Sequence, residues 1–240
     1  MVQNKTVIIT GSGRGIGKET AILLAIKGLN VVTCSRTQNE INLVVNRINE
    51  IHHNNDHILG IKCDVSISSE VDSLIKAVIE KFDGIDILVN NAGLVFVKKL
   101  VDTSEEEWDQ TINSNLKGTF LCTKAVLPYM IRNKERGVII NVSSGAGKAG
   151  FEHLSAYCAS KFGIIGLTES LAWEVASHSQ MRVMTLCPGE VATKMQKHVD
   201  PEYYRQYENR MLKPQEVAEK IVDMIFDTAR YHNGQCIDIG

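Results

Sequence analysis

The sequence predicts an α/β fold: a doubly wound parallel sheet with helices on both faces, closed as a single domain. Three observations carry the prediction. Short apolar runs alternate with helical patterns of ten or more residues, a glycine-dense turn follows the first run, and the polar residues able to do chemistry fall just past the ends of the runs. Strands joined by helices require crossover connections, which place the strands parallel.

The elements follow in order. Lys5–Thr10 is an apolar run ending in Thr-Gly-Ser-Gly-Arg-Gly-Ile-Gly, and Lys18–Gly28 is amphipathic. Strand, glycine turn and helix are the three parts of a phosphate cradle, in which glycine lets the backbone approach an anion that the free N–H groups of the helix start then face. The pattern is T-G-x-x-x-G-x-G at Thr10, Gly11, Gly15 and Gly17. It is not the Walker pattern, because positions 12 and 19 are Ser and Glu, nor G-x-G-x-x-G, because position 16 is Ile.

Leu29–Cys34 reads as the second strand. An NAD site wants an acid at its end for the ribose 2′-hydroxyl, but the chain offers Cys34-Ser35-Arg36-Thr37. A guanidinium at Arg36 suits a 2′-phosphate, and Arg14 inside the glycine turn could reach the same group, so NADP(H) is the expected cofactor. Glu40, the nearest acid, is read as too far along, at the start of the next helix. Helix Ile41–Ile51, strand Ile58–Lys62 with Cys63-Asp64-Val65, helix Val71–Phe82, and strand Ile85–Val89 with Asn90-Asn91-Ala92-Gly93 continue the alternation. Ligands of such sheets lie beyond the C-terminal strand ends, where all these polar groups sit.

Ser104 and Glu107 form a capping box opening a long helical stretch to about Arg132, with Asn115 polar among apolar neighbours. A buried Asn needs partners, so it is either a backbone clamp or part of a proton path. Strand Val138–Val142 delivers Ser143 and Ser144, and a helix through Tyr157, Lys161 and Leu171 follows. A serine-hydrolase elbow fails here, since it needs Gly at 141 or 142, which are Asn and Val. Strand Arg182–Cys187 ends in Pro188-Gly189-Glu190-Val191-Ala192-Thr193. Residues 190–212 lack a clear pattern and are read as a substrate lid. Helix Glu216–Phe226 after Pro214 and strand Gln235–Ile239 close the chain.

The chemistry is concentrated between residues 144 and 161. Tyr157 and Lys161 are four apart and share one helical face. A free phenol has a pKa of about 10, and a fixed ammonium within about 4–6 Å lowers it. Ser144, at a strand end, could face that phenol across a cleft.

Composition excludes several other classes. The 240 residues, 44% apolar, can close a sizeable core, and no compositional shift marks a second domain. The balance of 26 basic and 28 acidic residues, a net charge of −2, carries no run of one sign, so neither nucleic acid nor an anionic membrane is an expected partner. No apolar run approaches the roughly 18 residues of a membrane span, and MVQNKTVIIT lacks the core of a signal peptide, so a soluble cytoplasmic protein is expected. Six scattered cysteines predict reduced core thiols, and no histidine pair predicts a metal. Asn141-Val142-Ser143 matches a glycosylation acceptor but lies in an expected buried strand.

Together these residues resemble the signature of the short-chain dehydrogenase/reductase family over essentially the whole chain. The resemblance implies a Rossmann-like fold and a reversible hydride transfer between NADP(H) and a carbonyl or secondary alcohol. Thr10, Gly11, Ser12, Arg14, Gly15, Ile16 and Gly17 would form the cofactor turn, with Ser35 and Arg36 at the adenosine ribose. Asp64 and Val65 would flank the adenine, and Asn91, Ala92 and Gly93 continue the wall. Pro188, Gly189, Val191 and Thr193 match the nicotinamide-side loop. Asn115, Ser144, Tyr157 and Lys161 match the catalytic tetrad: Tyr157 as proton donor and acceptor, Ser144 on the substrate oxygen, Lys161 on the ribose and lowering the tyrosine pKa, Asn115 anchoring a proton path. No metal is implied.

Many relatives are 3-oxoacyl-acyl-carrier-protein reductases with arginines for the acidic carrier; these positions are Glu135 and Trp173 here, with Arg132, Lys134 and Arg136 nearby. The resemblance also implies a homotetramer or dimer, with Trp173 and the C-terminal strand suited to burial in it. A non-catalytic NADP-binding regulator is the reading from another class. A chain that had lost catalysis would be expected to lack a tetrad residue, and all four are present.

Overall fold

The first strand, β1 (Thr6–Thr10), runs through the middle of the sheet, between β2 (Asn30–Ser35) and β4 (Ile87–Asn90). The computed structural model describes residues 5–52, 56–132, 137–178 and 180–240. With β3 (Ile58–Lys62), β5 (Val138–Val142), β6 (Arg182–Pro188) and β7 (Cys236–Ile239), the strands form one parallel sheet in the order β3-β2-β1-β4-β5-β6-β7. The order reverses between β1 and β4, which opens a crevice beyond their C-terminal ends.

Both faces of the sheet are covered, and the strands show it by two-residue alternation. Val7 and Ile9, Val31, Ile87 and Val89, and Val138 and Ile140 face one core, while Ile8, Val32, Leu88 and Ile139 face the other. Helices α1 (Gly15–Ile26), α2 (Gln38–His52) and α9 (Pro214–Phe226) cover the first face. Helices α3 (Ser68–Phe82), α5 (Gly118–Arg132) and α6 (Ser155–Glu174) cover the second. The single-domain, doubly wound architecture is therefore the one the alternation predicts.

Three differences from the sequence reading matter for the site. Helix α2 begins at Gln38, not Ile41, because its first turn is polar and leaves no apolar mark; Glu40 is therefore inside the helix. Strand β2 is shifted by one residue, pairing Thr6 with Asn30, and ends at Ser35. The long helix after the capping box is broken in character: α4 (Glu105–Ile112) passes into a five-residue π-helical turn, Asn113–Lys117, before α5. Such wide turns are rare and are frequently found at functional sites. The Ser104–Glu107 capping box is formed in both directions. Between β6 and α9 the chain makes two short helices, α7 (Lys194–Val199) and α8 (Pro201–Tyr207), and the excursion is tied at its base where Val191 bridges Leu212. No helix among the described residues is long and apolar enough to cross a membrane.

Candidate active site

At the β1–α1 junction, Gly11 and Gly15 take left-handed φ of 62° and 57°, values that L side chains rarely adopt. Gly17 is demanded by space: a Cβ there would lie 2.6 Å from Asn91 Nδ2 and 2.7 Å from the Gly11 carbonyl oxygen. Helix α1 starts without a side-chain cap and without an acid in its first turn, so its leading N–H groups keep their capacity for an anion. The turn lines a cavity of about 970 Å³ that runs along the crevice.

The turn is held by its neighbours. Thr10 Oγ1 accepts from the backbone N–H groups of Asn91 and Ala92, each at 3.0 Å, and Asn91 Nδ2 donates to the carbonyls of Thr10 and Gly11. Ser12 is fully buried; its hydroxyl donates to the Ile9 carbonyl and accepts from the Cys34 N–H. Thr10, Ser12 and Gly17, read as direct cofactor contacts, therefore stand behind the cavity wall and shape it, whereas Gly11, Arg14, Gly15 and Ile16 line it.

Ser35 and Arg36 line the far end of the cavity. Arg14 is not the free cation expected there: its Nη1 donates to Glu40 Oε1 at 3.2 Å. Glu40 is not too distant either. The early start of α2 brings its side chain over the glycine turn and into the cavity wall. Nothing in the local apolar pattern marks the early helix start, so the reach of Glu40 is misjudged from sequence. Asp64 and Val65 line the cavity as expected, with Asp64 Oδ1 accepting from the N–H and hydroxyl of Ser66.

At the other end, Asn115 sits in the π-helical turn and meets the loop that follows β4. Its Oδ1 accepts from the Leu94 N–H at 2.8 Å, while its Nδ2 donates to the Leu94 carbonyl and to Ser160 Oγ. The side chain thus makes the backbone clamp, tying Leu94, just past Gly93, to α6. Ser160, which sequence reading passed over, completes the tie by donating to the Tyr157 carbonyl. A Cβ on Gly93 would sit 3.2 Å from Asn115 Oδ1, so glycine there leaves room for the clamp.

Ser144, Tyr157 and Lys161 line the same cavity as the glycine turn. Lys161 is buried and its Nζ donates to the Val142 carbonyl at 2.8 Å, 5.5 Å from the Tyr157 ring centre. The electrostatics correct the expectation of an acidified phenol. Burial pushes Tyr157 up to about 12, and the hydrogen bond from Ser144 opposes it only in part. Burial also pulls Lys161 down to about 8. Proximity is as the four-residue spacing predicts, but burial sets the direction of both shifts.

Pro188, Gly189, Val191 and Thr193 line the cavity beside this group, and Thr193 caps α7 by accepting from Gln196 N–H. A Cβ on Gly15 would lie 3.6 Å from Thr193 Cγ2, so the two loops meet across the cleft. His153, at the mouth, has a left-handed φ of 64° and its carbonyl accepts from Lys98 N–H, joining two loops of the substrate side. The cleft, with a long channel from the helix start to the Ser–Tyr–Lys group, fits a dinucleotide.

Of the residues read as carrier contacts, Lys134, Glu135 and Arg136 lie outside the described residues; Arg132 Nε donates to the Pro128 carbonyl, and Trp173 is 82% exposed. The six cysteines are free thiols.

Known proteins resemble this chain along its length. The 3-oxoacyl-[acyl-carrier-protein] reductase of Synechocystis sp. is 38% identical over 239 residues, covering 98% of this chain and 95% of that protein. The (2S)-[(R)-hydroxy(phenyl)methyl]succinyl-CoA dehydrogenase subunit BbsD of Thauera aromatica is 34% identical over 241 residues, covering 98% and 95%. The crystal structure of levodione reductase superimposes with a TM-score of 0.92 at 27% identity, covering 100% of this chain and 97% of that one. A family model described as short chain dehydrogenase matches residues 5–203. With its crevice, its glycine turn and its Ser–Tyr–Lys group at one cavity, the chain belongs to the short-chain dehydrogenase/reductase family of oxidoreductases, whose members use a nicotinamide cofactor.

Proposed function

We propose that this oxidoreductase is an NADP(H)-dependent carbonyl reductase in which Tyr157 is the general acid. The reading rests on one observation: Ser144, Tyr157 and Lys161 line the same cavity as Gly11, Gly15 and Arg36. When bound, the nicotinamide supplies a hydride to the carbonyl carbon or takes it back. Tyr157 gives its proton to the carbonyl oxygen, which Ser144 holds by hydrogen bond as charge develops. A phenol held up to about 12 is protonated at neutral pH and so carries the proton that the carbonyl oxygen receives. Lys161, near 8, is still largely cationic at neutral pH and stabilises the phenolate left behind. Asn115 is a positioning residue that sets the Gly93 and Tyr157 backbones.

Residues 190–212 act as the lid, latched where the Tyr203 hydroxyl donates to Glu190 Oε2 at 3.0 Å. Val95, Val97, Phe151, Leu154 and Met195 give the substrate side an apolar wall, which suits a ketone with an apolar body. Exposed Phe120, Phe162 and Trp173 on α5 and α6 support assembly into a dimer or tetramer.

A second reading, 3-oxoacyl-acyl-carrier-protein reductase, is favoured by the names of several relatives at 34–38% identity. It requires carrier docking around Arg132, since Trp173 stands where the family pattern has an arginine.

The test is NADPH oxidation by the purified protein against ketones, aldehydes and 3-oxoacyl thioesters, with Tyr157→Phe as control. Turnover by the wild type and its loss in Tyr157→Phe, with NADPH binding retained, is the expected result. A wild type that binds NADPH but turns over nothing in the panel makes the regulator the better reading. For the cofactor, Arg36→Asp is expected to weaken NADPH binding by more than about 1.5 kcal/mol; equal wild-type affinity for NADH and NADPH refutes the NADP(H) assignment.

A further inference from the structure

Arg14, Arg36 and Glu40 line the adenosine-ribose end of the cavity, and the anion is paired with one of the two cations. Glu40 lies 26 residues beyond Arg14 in sequence, yet Arg14 Nη1 donates to its Oε1 at 3.2 Å. The glutamate also packs directly on the turn: a Cβ at Gly13 would fall 2.8 Å from Glu40 Cβ and 3.0 Å from Glu40 Oε2, with Ser35 Oγ also at 3.0 Å. Ser35, Arg36, Thr37 and Glu40 share one stretch of cavity wall.

We infer that Glu40 is a specificity-determining residue for the cofactor: through its ion pair with Arg14 it narrows the preference for a 2′-phosphorylated dinucleotide. The inference rests on a nicotinamide dinucleotide occupying this cleft. A 2′-phosphate carries about −1.5 to −2 charge and is gripped best by guanidinium groups with their donors free. Arg36 meets that need, but Arg14 has a donor engaged and its charge offset. For Arg14 to turn to the phosphate, it must leave a carboxylate bare beside a second anion. The ion pair therefore acts against the phosphate by holding back a guanidinium that would otherwise grip it, and leaves the binding of a free 2′-hydroxyl unchanged. The residue lies outside the strand-end position from which cofactor preference was first read, which offers only Ser35 and Arg36.

The pair is solvent-facing, with Arg14 62% and Glu40 24% exposed, so it contributes little to folding and Glu40→Gln is expected to keep the fold. Titration calorimetry on the full chain, with adenosine 2′,5′-bisphosphate and with 5′-AMP, reads the 2′-phosphate alone and needs no turnover. The ratio of the two affinities is expected to rise about fivefold in favour of the bisphosphate in Glu40→Gln, the scale of one exposed charge contact. The rise should be lost when Arg14→Gln is added, because no guanidinium is left to release. An unchanged ratio in Glu40→Gln overturns the inference, as does an equal rise in the Arg14→Gln background. Equal weakening of both probes with a lowered melting temperature also overturns it, since Glu40 would then be only a buttress of the turn. A wild type that binds both probes equally refutes the NADP(H) reading and leaves the Glu40 comparison standing. If neither probe binds the wild type, both fail.

Discussion

Lys161 carries a charge where the fold least accommodates one. Its side chain is 4% exposed and donates to the Val142 carbonyl, and burial lowers its pKa from 10.5 to about 8. A lysine depressed in the folded state binds fewer protons there than in the unfolded chain between those two values, so stability rises with pH through that window. The gap between 10.5 and about 8, at about 1.4 kcal/mol per pH unit, makes the cation cost the fold about 3.5 kcal/mol at low pH. About 2.5 kcal/mol of that is relieved between pH 7 and 10. Lys161→Met keeps the length of the side chain and cannot titrate, so comparison with it cancels every other group that titrates alike in both proteins. Urea denaturation of both proteins at pH 7, 8, 9 and 10 measures the difference. The wild type is expected to gain about 2.5 kcal/mol on Lys161→Met across that range. Parallel stability curves would refute the claim that burial holds this lysine down.

Three further outcomes are expected. Asn115→Ala leaves the part-buried Leu94 N–H and carbonyl without their partner, at about 1–3 kcal/mol for each group, so a loss of about 2–6 kcal/mol should appear in denaturant titration. A loss under 1 kcal/mol contradicts the clamp. Gly17→Ala forces a methyl against the Gly11 carbonyl and Ser12 Cα at 2.7 and 2.9 Å, and is expected to cost about 1–3 kcal/mol and to weaken nucleotide binding, as read by thermal melts and calorimetry. In the reducing direction, kcat/KM should fall through one ionisation near pH 8 as Lys161 loses its proton, while Tyr157 stays protonated; a profile flat from pH 7 to 10 excludes a role for the cation.

Much of this was legible in the residues themselves. Apolar runs marked the strands because both sheet faces are covered, and glycines marked the turn because backbone and side chains crowd it at Gly17. The spacing of Tyr157 and Lys161 gave their common face. What the sequence hid has physical reasons as well. Glu40 lies in a polar first turn that amphipathic periodicity cannot register, so the helix seemed to begin after it. Spacing brings an ammonium near a phenol but says nothing of how burial treats each of them, and burial sets the direction of their pKa values. Ser12 and Thr10 sit in the right motif, yet only coordinates show their hydroxyls spent on the strand ends. The widened turn at Asn113–Lys117 leaves no compositional trace, although a polar Asn among apolar neighbours announced that partners were needed.

The placement of β1 also bears on how the chain is made. Thr6 pairs with Asn30, 24 positions on, but Val7 must wait for Ile87, 80 positions on. At about 5–20 residues per second, a ribosome takes about 4–16 seconds to deliver that second partner. Throughout, one edge of a strand built from Val7, Ile8 and Ile9 stays open, a template for any other nascent chain. Products truncated before Ile87 keep that edge permanently, and aggregation is their expected fate.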